Sequence, residues 1–401
     1  MTIVAPTLGQ HASFWVSAGV VTHTFWTSAA PAMTYPLYAQ EWNLTPTVIT
    51  AIFAIYPIVV VLVLICFGEI SDYIGRRATM LLGLGASLLG VLCFAVAPSV
   101  FYVFVGRVLM GVGVGLSAGP STAAMVEFSP PGQAKRAGSI TTAAQAAGYV
   151  MAFLLGGALI QYAPLPTRLS FWVLFGFLVA LFIATWMLPR QSGSKTMDNW
   201  RLRTPSIPPK LRKAFAVSAA AVTTAYTHGV LILSLGSQIA HDLVGSSNVL
   251  INGAALSLFA ILIGVFGIIG KPLPSRTAMT LGAIASVVSM ALMSLAVAKH
   301  ELLIFLAATS TAGVGYSLLF LGGLEVINLA APPERRGGIL SALYLFAYLS
   351  LGVVALTLGK VATERGLKLA IDLGAGTIAL LSGLTLALVA SMRSPQKPAI
   401  A

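Results

Sequence analysis

The chain has 401 residues, of which 57% are hydrophobic and 8% charged, with 23 Lys and Arg against 11 Asp and Glu. A soluble domain carries about 25% charged residues, so this composition excludes a soluble enzyme, a nucleic-acid binder and a secreted disulfide scaffold. The formal net charge of +12 has to be explained by where the basic residues lie.

Apolar runs of about 20 residues read as bilayer-spanning helices. Twelve are expected, at 13–33, 47–67, 78–97, 100–126, 138–161, 169–188, 214–237, 248–270, 277–298, 302–327, 339–360 and 370–391. An even number of spans puts both termini on one side. The pattern predicts an all-α membrane protein, with twelve transmembrane helices in two six-helix bundles. The bundles are 1–188 and 214–401, joined by a polar, basic linker over 189–213. The first span lacks a charged lead-in and a small-residue cleavage site, so it is expected to stay in the membrane rather than act as a cleaved signal.

The first span carries His23 at its midpoint, followed by Phe25, Trp26, Pro31, Tyr35 and Pro36; the second carries Tyr56 and Pro57. Histidine titrates near neutral pH, so His23 reads either as a substrate or proton group or as a neutral, hydrogen-bonded helix contact. The aromatic residues, with Tyr226 further on, read as packing or as an apolar wall with polar tips. The prolines would kink their helices and point weakly to a cavity or hinge. Cys66 and Cys93 lie in apolar runs without metal-ligand spacing and read as small buried hydrophobes.

Between the second and third spans runs Gly68-Glu69-Ile70-Ser71-Asp72-Tyr73-Ile74-Gly75-Arg76-Arg77. Asp72 can accept hydrogen bonds at a neighbouring helix N-terminus, where the dipole favours an anion. Gly68 and Gly75 permit close approach or a tight turn, and Arg76 and Arg77 supply charge partners. In the fourth span, Arg107 precedes Gly111, Gly115 and Gly119. Their four-residue spacing makes a small face on which helices approach closely. An intramembrane Arg is by default a functional-site hypothesis, competing here with a snorkelling or structurally paired side chain.

The second half repeats the first. Phe14, Val16, Ser17 and Ala18 recur as Phe215, Val217, Ser218 and Ala219, and Gly68, Ile70, Arg77 and Met80 recur as Gly267, Ile269, Arg276 and Met279. Gly113 and Arg136 are matched by Gly313 and Arg336. A nearly constant offset marks two parallel repeats, a transporter architecture with its substrate site near the midplane of the repeat interface. The seventh span places His228 deep in the second half, open to the same two readings as His23. Within the spans, acids fall only near the ends, Glu127 and Glu325 among them, so the middle of the cavity has no evident carboxylate. Of the 23 basic residues, 17 fall on the side of the termini, including Arg76, Arg77, Lys135 and Arg136 and the linker's Arg190, Lys195, Arg201 and Arg203. The tail's Arg393 and Lys397 are among the 17. By the positive-inside rule that side is cytoplasmic, and the net charge records orientation.

The loop run resembles the G-x-x-x-D-x-x-G-[RK]-[RK] signature of the major facilitator superfamily, at the same place in the topology, and the likeness extends over essentially the whole chain. It implies a network in which Asp72, Arg76 and Glu127 act as a conformational latch. The second half keeps Arg276 and Glu325 but has Lys271 in place of the loop Asp. Arg107 with Gly111 and Gly113 is similar to the family's fourth-span R-x-x-x-G-x-G signature, whose Arg is associated with proton coupling. The first and seventh spans line the central cavity in this family, which puts His23, Trp26, Tyr226 and His228 on the expected path. The fifth-span G-P-x-x-G-G of drug/proton antiporters survives only as Gly156-Gly157.

The expected function is secondary active transport of a small organic solute by alternating access, as proton-coupled efflux of amphipathic compounds from the inner (plasma) membrane. Uptake or exchange of a small organic anion is the alternative, suggested by Arg107 and the histidines. A transporter-like sensor that no longer transports is the reading from another class. No P-loop, nucleophile constellation or zinc spacing is found, so no enzyme activity, cofactor or metal is expected. The expected partners are the solute, protons and lipid, with no nucleic acid and a monomeric chain.

Overall fold

The computed structural model describes residues 7–190, 207–232 and 248–392. Linker residues 191–206, with Lys195, Arg201 and Arg203, lie outside the described residues, as do the seventh-span positions 233–237 and the tail with Arg393 and Lys397. Every regular element among the described residues is helical. In chain order these are α1 (Gln10–Ala29), α2 (Tyr35–Glu41), α3 (Pro46–Phe67), α4 (Ser71–Ile74), α5 (Arg76–Ala95), α6 (Val100–Glu127), α7 (Ala134–Val150), α8 (Gly156–Tyr162) and α9 (Leu169–Trp186). The second half gives α10 (Arg212–Val230), α11 (Val249–Ile269), α12 (Ser275–Lys299), α13 (Leu302–Ala330), α14 (Arg336–Arg365) and α15 (Leu367–Ala390).

Local chemistry sets the breaks. α1 passes into a single tight turn at Ala30–Met33, where Pro31 removes a backbone donor. Pro57, by contrast, sits inside α3 without ending it. A π-helical turn at Met151–Leu155 joins α7 to α8 as one long span. The Asn248 side chain caps α11 by accepting from the N–H groups of Leu250 and Ile251 at 3.0 and 3.2 Å. Between α4 and α5 the chain turns at Gly75 with φ 87°, a conformation in which a Cβ is costly.

Nine helical segments among the described residues are long and apolar enough to cross a bilayer; the other three expected spans correspond to α1, α3 and α10. α3 runs over 22 residues, Pro46–Phe67. α1 is diluted by hydroxyl and imidazole side chains such as Ser13, Ser17, Thr22 and His23. α10 opens on Arg212-Lys213, and the sequence after Ile232 lies outside the described residues.

The packing has the symmetry of the repeat. α1 against α6 is echoed by α10 against α13, α3–α6 by α11–α13, α5–α6 by α12–α13, and α5–α9 by α12–α15. Glycine lets the tightest of these pairs meet. A Cβ on Gly113 would lie 2.6 Å from the Gly83 carbonyl oxygen, and one on Gly282 would lie 3.1 Å from that of Gly315. The two sets of helices meet along α3–α14 and α7–α11, with further contact of α6 on α14 and α7 on α13.

Candidate functional site

The centre of the molecule, between the two sets of helices, is built of aromatic rings. Phe25 of α1 and Tyr226 of α10, equivalent positions in the repeat, meet edge-on with centroids 6.0 Å apart. Tyr226 also contacts Tyr316, Phe320, Tyr344 and Tyr348 at 5.4–6.2 Å. From the first set, Tyr149 reaches Phe25 at 5.1 Å and Phe259 at 6.0 Å, and Tyr56 reaches Tyr348 at 6.3 Å. Beside these rings, two hydroxyl contacts cross between the sets: Thr122 with Tyr344 at 2.9 Å, and the Tyr316 hydroxyl donating to Gln145 Oε1 at 2.9 Å. Flat apolar faces edged by hydroxyl and amide groups can hold an aromatic compound and orient it. Trp26 stands apart from this cluster, tilted on Phe177 of α9 at 5.2 Å.

Arg107 lies 1% exposed in α6. Its Nε donates to the Ile52 carbonyl at 3.3 Å and its Nη1 to the Ser28 carbonyl at 3.2 Å, tying α6 to α3 and α1. The guanidinium lies over the Tyr56 ring at 4.5 Å and the Phe53 ring at 5.9 Å. A planar cation with two backbone acceptors and an aromatic floor suits Arg rather than Lys.

The two histidines differ. His23 is buried in the first set, with Nδ1 2.6 Å from the Val20 carbonyl and Nε2 3.2 Å from Ser87 Oγ of α5. It therefore points toward α5, within one bundle. His228 contacts the Thr224 carbonyl through Nδ1 at 3.0 Å, while its Nε2 is buried without a hydrogen-bond partner.

At the loop face, Arg76 gathers both sets of helices. Its Nη1 meets Asp72 Oδ1 at 2.5 Å and Ser71 Oγ at 2.9 Å, and its Nε meets Glu127 Oε1 at 3.2 Å. Nη2 crosses to the Pro333 carbonyl at 3.4 Å, and Asp72 Oδ2 accepts from the Gly338 N–H at 3.3 Å in the first turn of α14. Gly337 must be small: a Cβ there would stand 2.5 Å from Ser71 Oγ and 2.6 Å from Arg76 Nη1. Gly68 ends α3 just ahead of this cluster. Arg77 turns elsewhere, over the Trp186 ring at 5.5 Å. In the second set, Glu325 accepts from Ser275 Oγ at 2.7 Å and pairs across the interface with Lys135 Nζ at 3.5 Å, whereas Arg276, next to Ser275, is exposed. The Ser139 hydroxyl also bonds across, to the Gly267 carbonyl.

The glycine face of α6 divides its work. Gly111 and Gly115 press on Val59 and Val63 of α3, and Gly119 presses on Ser341 and Gly337 of α14. Sequence reasoning missed Gln145, Tyr149, Tyr316, Tyr344, Tyr348 and Lys135. A usable signal existed for the rings, because Tyr149/Phe153, Tyr316/Phe320 and Tyr344/Tyr348 each share a helix face at four-residue spacing.

The family model described as Major Facilitator Superfamily matches residues 15–356. Among curated proteins, "Sugar transporter ERD6-like 6" of Arabidopsis thaliana is 29% identical over 92 residues, 23% of this chain and 19% of that protein. "Multidrug efflux pump LfrA" of Mycolicibacterium smegmatis is 30% identical over 134 residues, 33% of this chain and 26% of that protein. The matched stretches thus span about a quarter or less of these relatives. The crystal structure of the human organic anion transporter MFSD10 (TETRAN) superposes with a TM-score of 0.70 at 15% identity, covering 94% of this chain and 100% of that one. The chain is an integral, multi-pass membrane protein of the major facilitator superfamily.

Proposed function

We propose that this transporter exports a small amphipathic aromatic compound by alternating access, in exchange for protons. The observation that carries the reading is the buried cluster of rings around Tyr226, to which both sets of helices contribute. A solute held there touches both sets, so rocking one against the other would expose it to either side. The moving bodies are 1–188 and 214–401, joined by 189–213. Asp72, Arg76, Glu127, Lys135 and Glu325 are the latch that favours the arrangement with the loop face closed. That face is cytoplasmic, on the strength of its basic residues, in a monomer of the plasma membrane. His228, with its unpartnered Nε2, is the proton site. The efflux pump among the relatives is in keeping with this direction.

Arg107 favours a second reading, uptake or exchange of a small organic anion, since its partners among the described residues are carbonyls and rings rather than a carboxylate. Counterflow in proteoliposomes separates the two. Rhodamine 6G is expected to exchange and benzoate not to, with Tyr226→Ala lowering rhodamine counterflow at least about tenfold, the loss of one well-packed ring contact and its buried area. Exchange of benzoate alone, abolished by Arg107→Ala, would replace the export reading with the anion one.

A further inference from the structure

We propose that Gln145 is the recognition residue of the central site, and that the transported compound carries a hydrogen-bond acceptor, a carbonyl or sulfonyl oxygen, at the edge of an aromatic frame. This rests on the aromatic-solute reading above and names the chemistry of that solute.

Gln145 is fully buried on α7, one turn before Tyr149. Its amide is held at one end only. Oε1 accepts the Tyr316 hydroxyl hydrogen at 2.9 Å, while Nε2 is buried with no hydrogen-bond partner. An amide nitrogen carries two donors, and burying them unmet costs more than an average hydrogen bond returns. Buried polar groups in folded proteins are otherwise almost always satisfied, and an exception calls for a ligand, a water or a strained function. Here the exception stands beside the rings already described: Tyr316 stacks on Tyr226 and Phe320, and Tyr149 lies parallel to Phe153.

The Tyr316 contact sets the polarity of the site. With Oε1 occupied, the end of the amide left for a ligand is the donor, so the complementary ligand group is an acceptor. A neutral N–H donor is met by an acceptor oxygen, which matches a carbonyl and not a protonated amine, whose hydrogens only donate. Gln145 belongs to the first set of helices and Tyr316 to the second, so their hydrogen bond must part when the sets separate. The donor is oriented only while both sets close on the solute, which couples recognition to the closed arrangement.

The test uses the purified full chain and a matched pair of flat tricyclic probes, 9-fluorenone and fluorene, which differ by one carbonyl oxygen. Calorimetric binding is expected to favour fluorenone by roughly tenfold, one net hydrogen bond from a buried donor. Gln145→Met, close in length and without the donor, is expected to bind both probes with the fluorene affinity. Tyr316→Phe, which keeps the ring and releases the amide, is expected to reduce the preference without touching Gln145. Should Gln145→Met fail to purify folded, Gln145→Asn, which withdraws the amide by one methylene, carries the same expectation. An undiminished fluorenone preference in these variants, or equal binding of both probes to the unaltered protein, overturns the assignment. Equal binding that Tyr226→Ala weakens for both probes would leave the aromatic reading standing and remove only Gln145. If neither probe binds nor displaces rhodamine 6G, the aromatic reading falls and the assignment falls with it.

Discussion

Asp72→Asn changes a charge and almost nothing in shape, so its effect on the loop face can be worked out bond by bond. The side chain is 1% exposed, and two of its contacts bear on the loop face. Its pair with Arg76, at 2.5 Å, lies within the first set of helices and persists whichever way the two sets are arranged. Losing it lowers overall stability but cancels in the balance between arrangements. The bond from the Gly338 N–H to Oδ2, at 3.3 Å, crosses between the sets and exists only when the loop face is closed. A hydrogen bond to an ionised group contributes about 1.5–3 kcal/mol, against about 0.5–1.5 kcal/mol for a neutral one. The carboxylate at the first turn of α14 gains a further ~0.3–1 kcal/mol from the helix dipole. The variant should therefore weaken the closed arrangement by about 2 kcal/mol, roughly a thirtyfold shift in its population relative to the open one. Spin labels at Gln133→Cys and Lys271→Cys, in a Cys66→Ser, Cys93→Ser background, report the separation of the sets by pulsed electron resonance. The distance distribution should move toward the longer population in Asp72→Asn. An unchanged distribution, with an unchanged transport rate, would refute the latch.

Gly337→Ala should act in the same direction as Asp72→Asn by sterics, because the new Cβ meets Ser71 Oγ and Arg76 Nη1 at 2.5 and 2.6 Å; the same labels should show a longer separation. Arg107→Lys keeps the charge but loses the fork that spans the Ser28 and Ile52 carbonyls, and thermal unfolding in detergent should show a loss of about 2 kcal/mol. Gly75→Ala places a Cβ at φ 87° and should cost ~1–2 kcal/mol in the same assay. A double-mutant cycle on Lys135→Ala and Glu325→Ala should return a coupling of only ~0.2–1 kcal/mol, because Lys135 is 32% exposed, and raised salt should shrink it.

Legibility in the sequence followed the locality of the interaction. Asp72 and Arg76 share one ten-residue loop, and the resemblance of that loop to the superfamily signature implied Glu127, at the far end of the fourth span, as their partner. Pro333 and Gly338 could not be grouped with them beforehand, because which helix N-terminus sits beside Asp72 depends on how two sets of helices dock. The pairing of Lys135 with Glu325 was hidden for the same reason: Ser275 stands at the repeat position of Arg76, and a cation of the first set pairs with Glu325 instead. His23 and Trp26 were placed on the path by the position of their helix, yet α1 is buried on nearly all sides, so membership of a central helix does not fix the direction of a side chain. Phe25, two residues from His23, faces Tyr226 while the imidazole turns to Ser87. The aromatic residues were legible as residues and illegible as a site, since a ring in an apolar span looks the same whether it packs within one bundle or closes the gap between two.

The hydroxyl-rich character of α1 and α10 has a consequence for how the protein is made. Ser17 and Thr22 return their hydroxyls to the carbonyls of Ser13 and Ala18, four residues back, and Thr224 and Thr227 do the same with Ala220 and Thr223. Each helix thereby shields part of its own polarity, although α1 stays less apolar than the nine segments able to cross unaided. Such a segment gains little by leaving the translocation machinery for lipid alone. It is held by α6 and α7, which are synthesised later and pack directly against it. A truncation before α6 should therefore leave α1 to slip out of the bilayer.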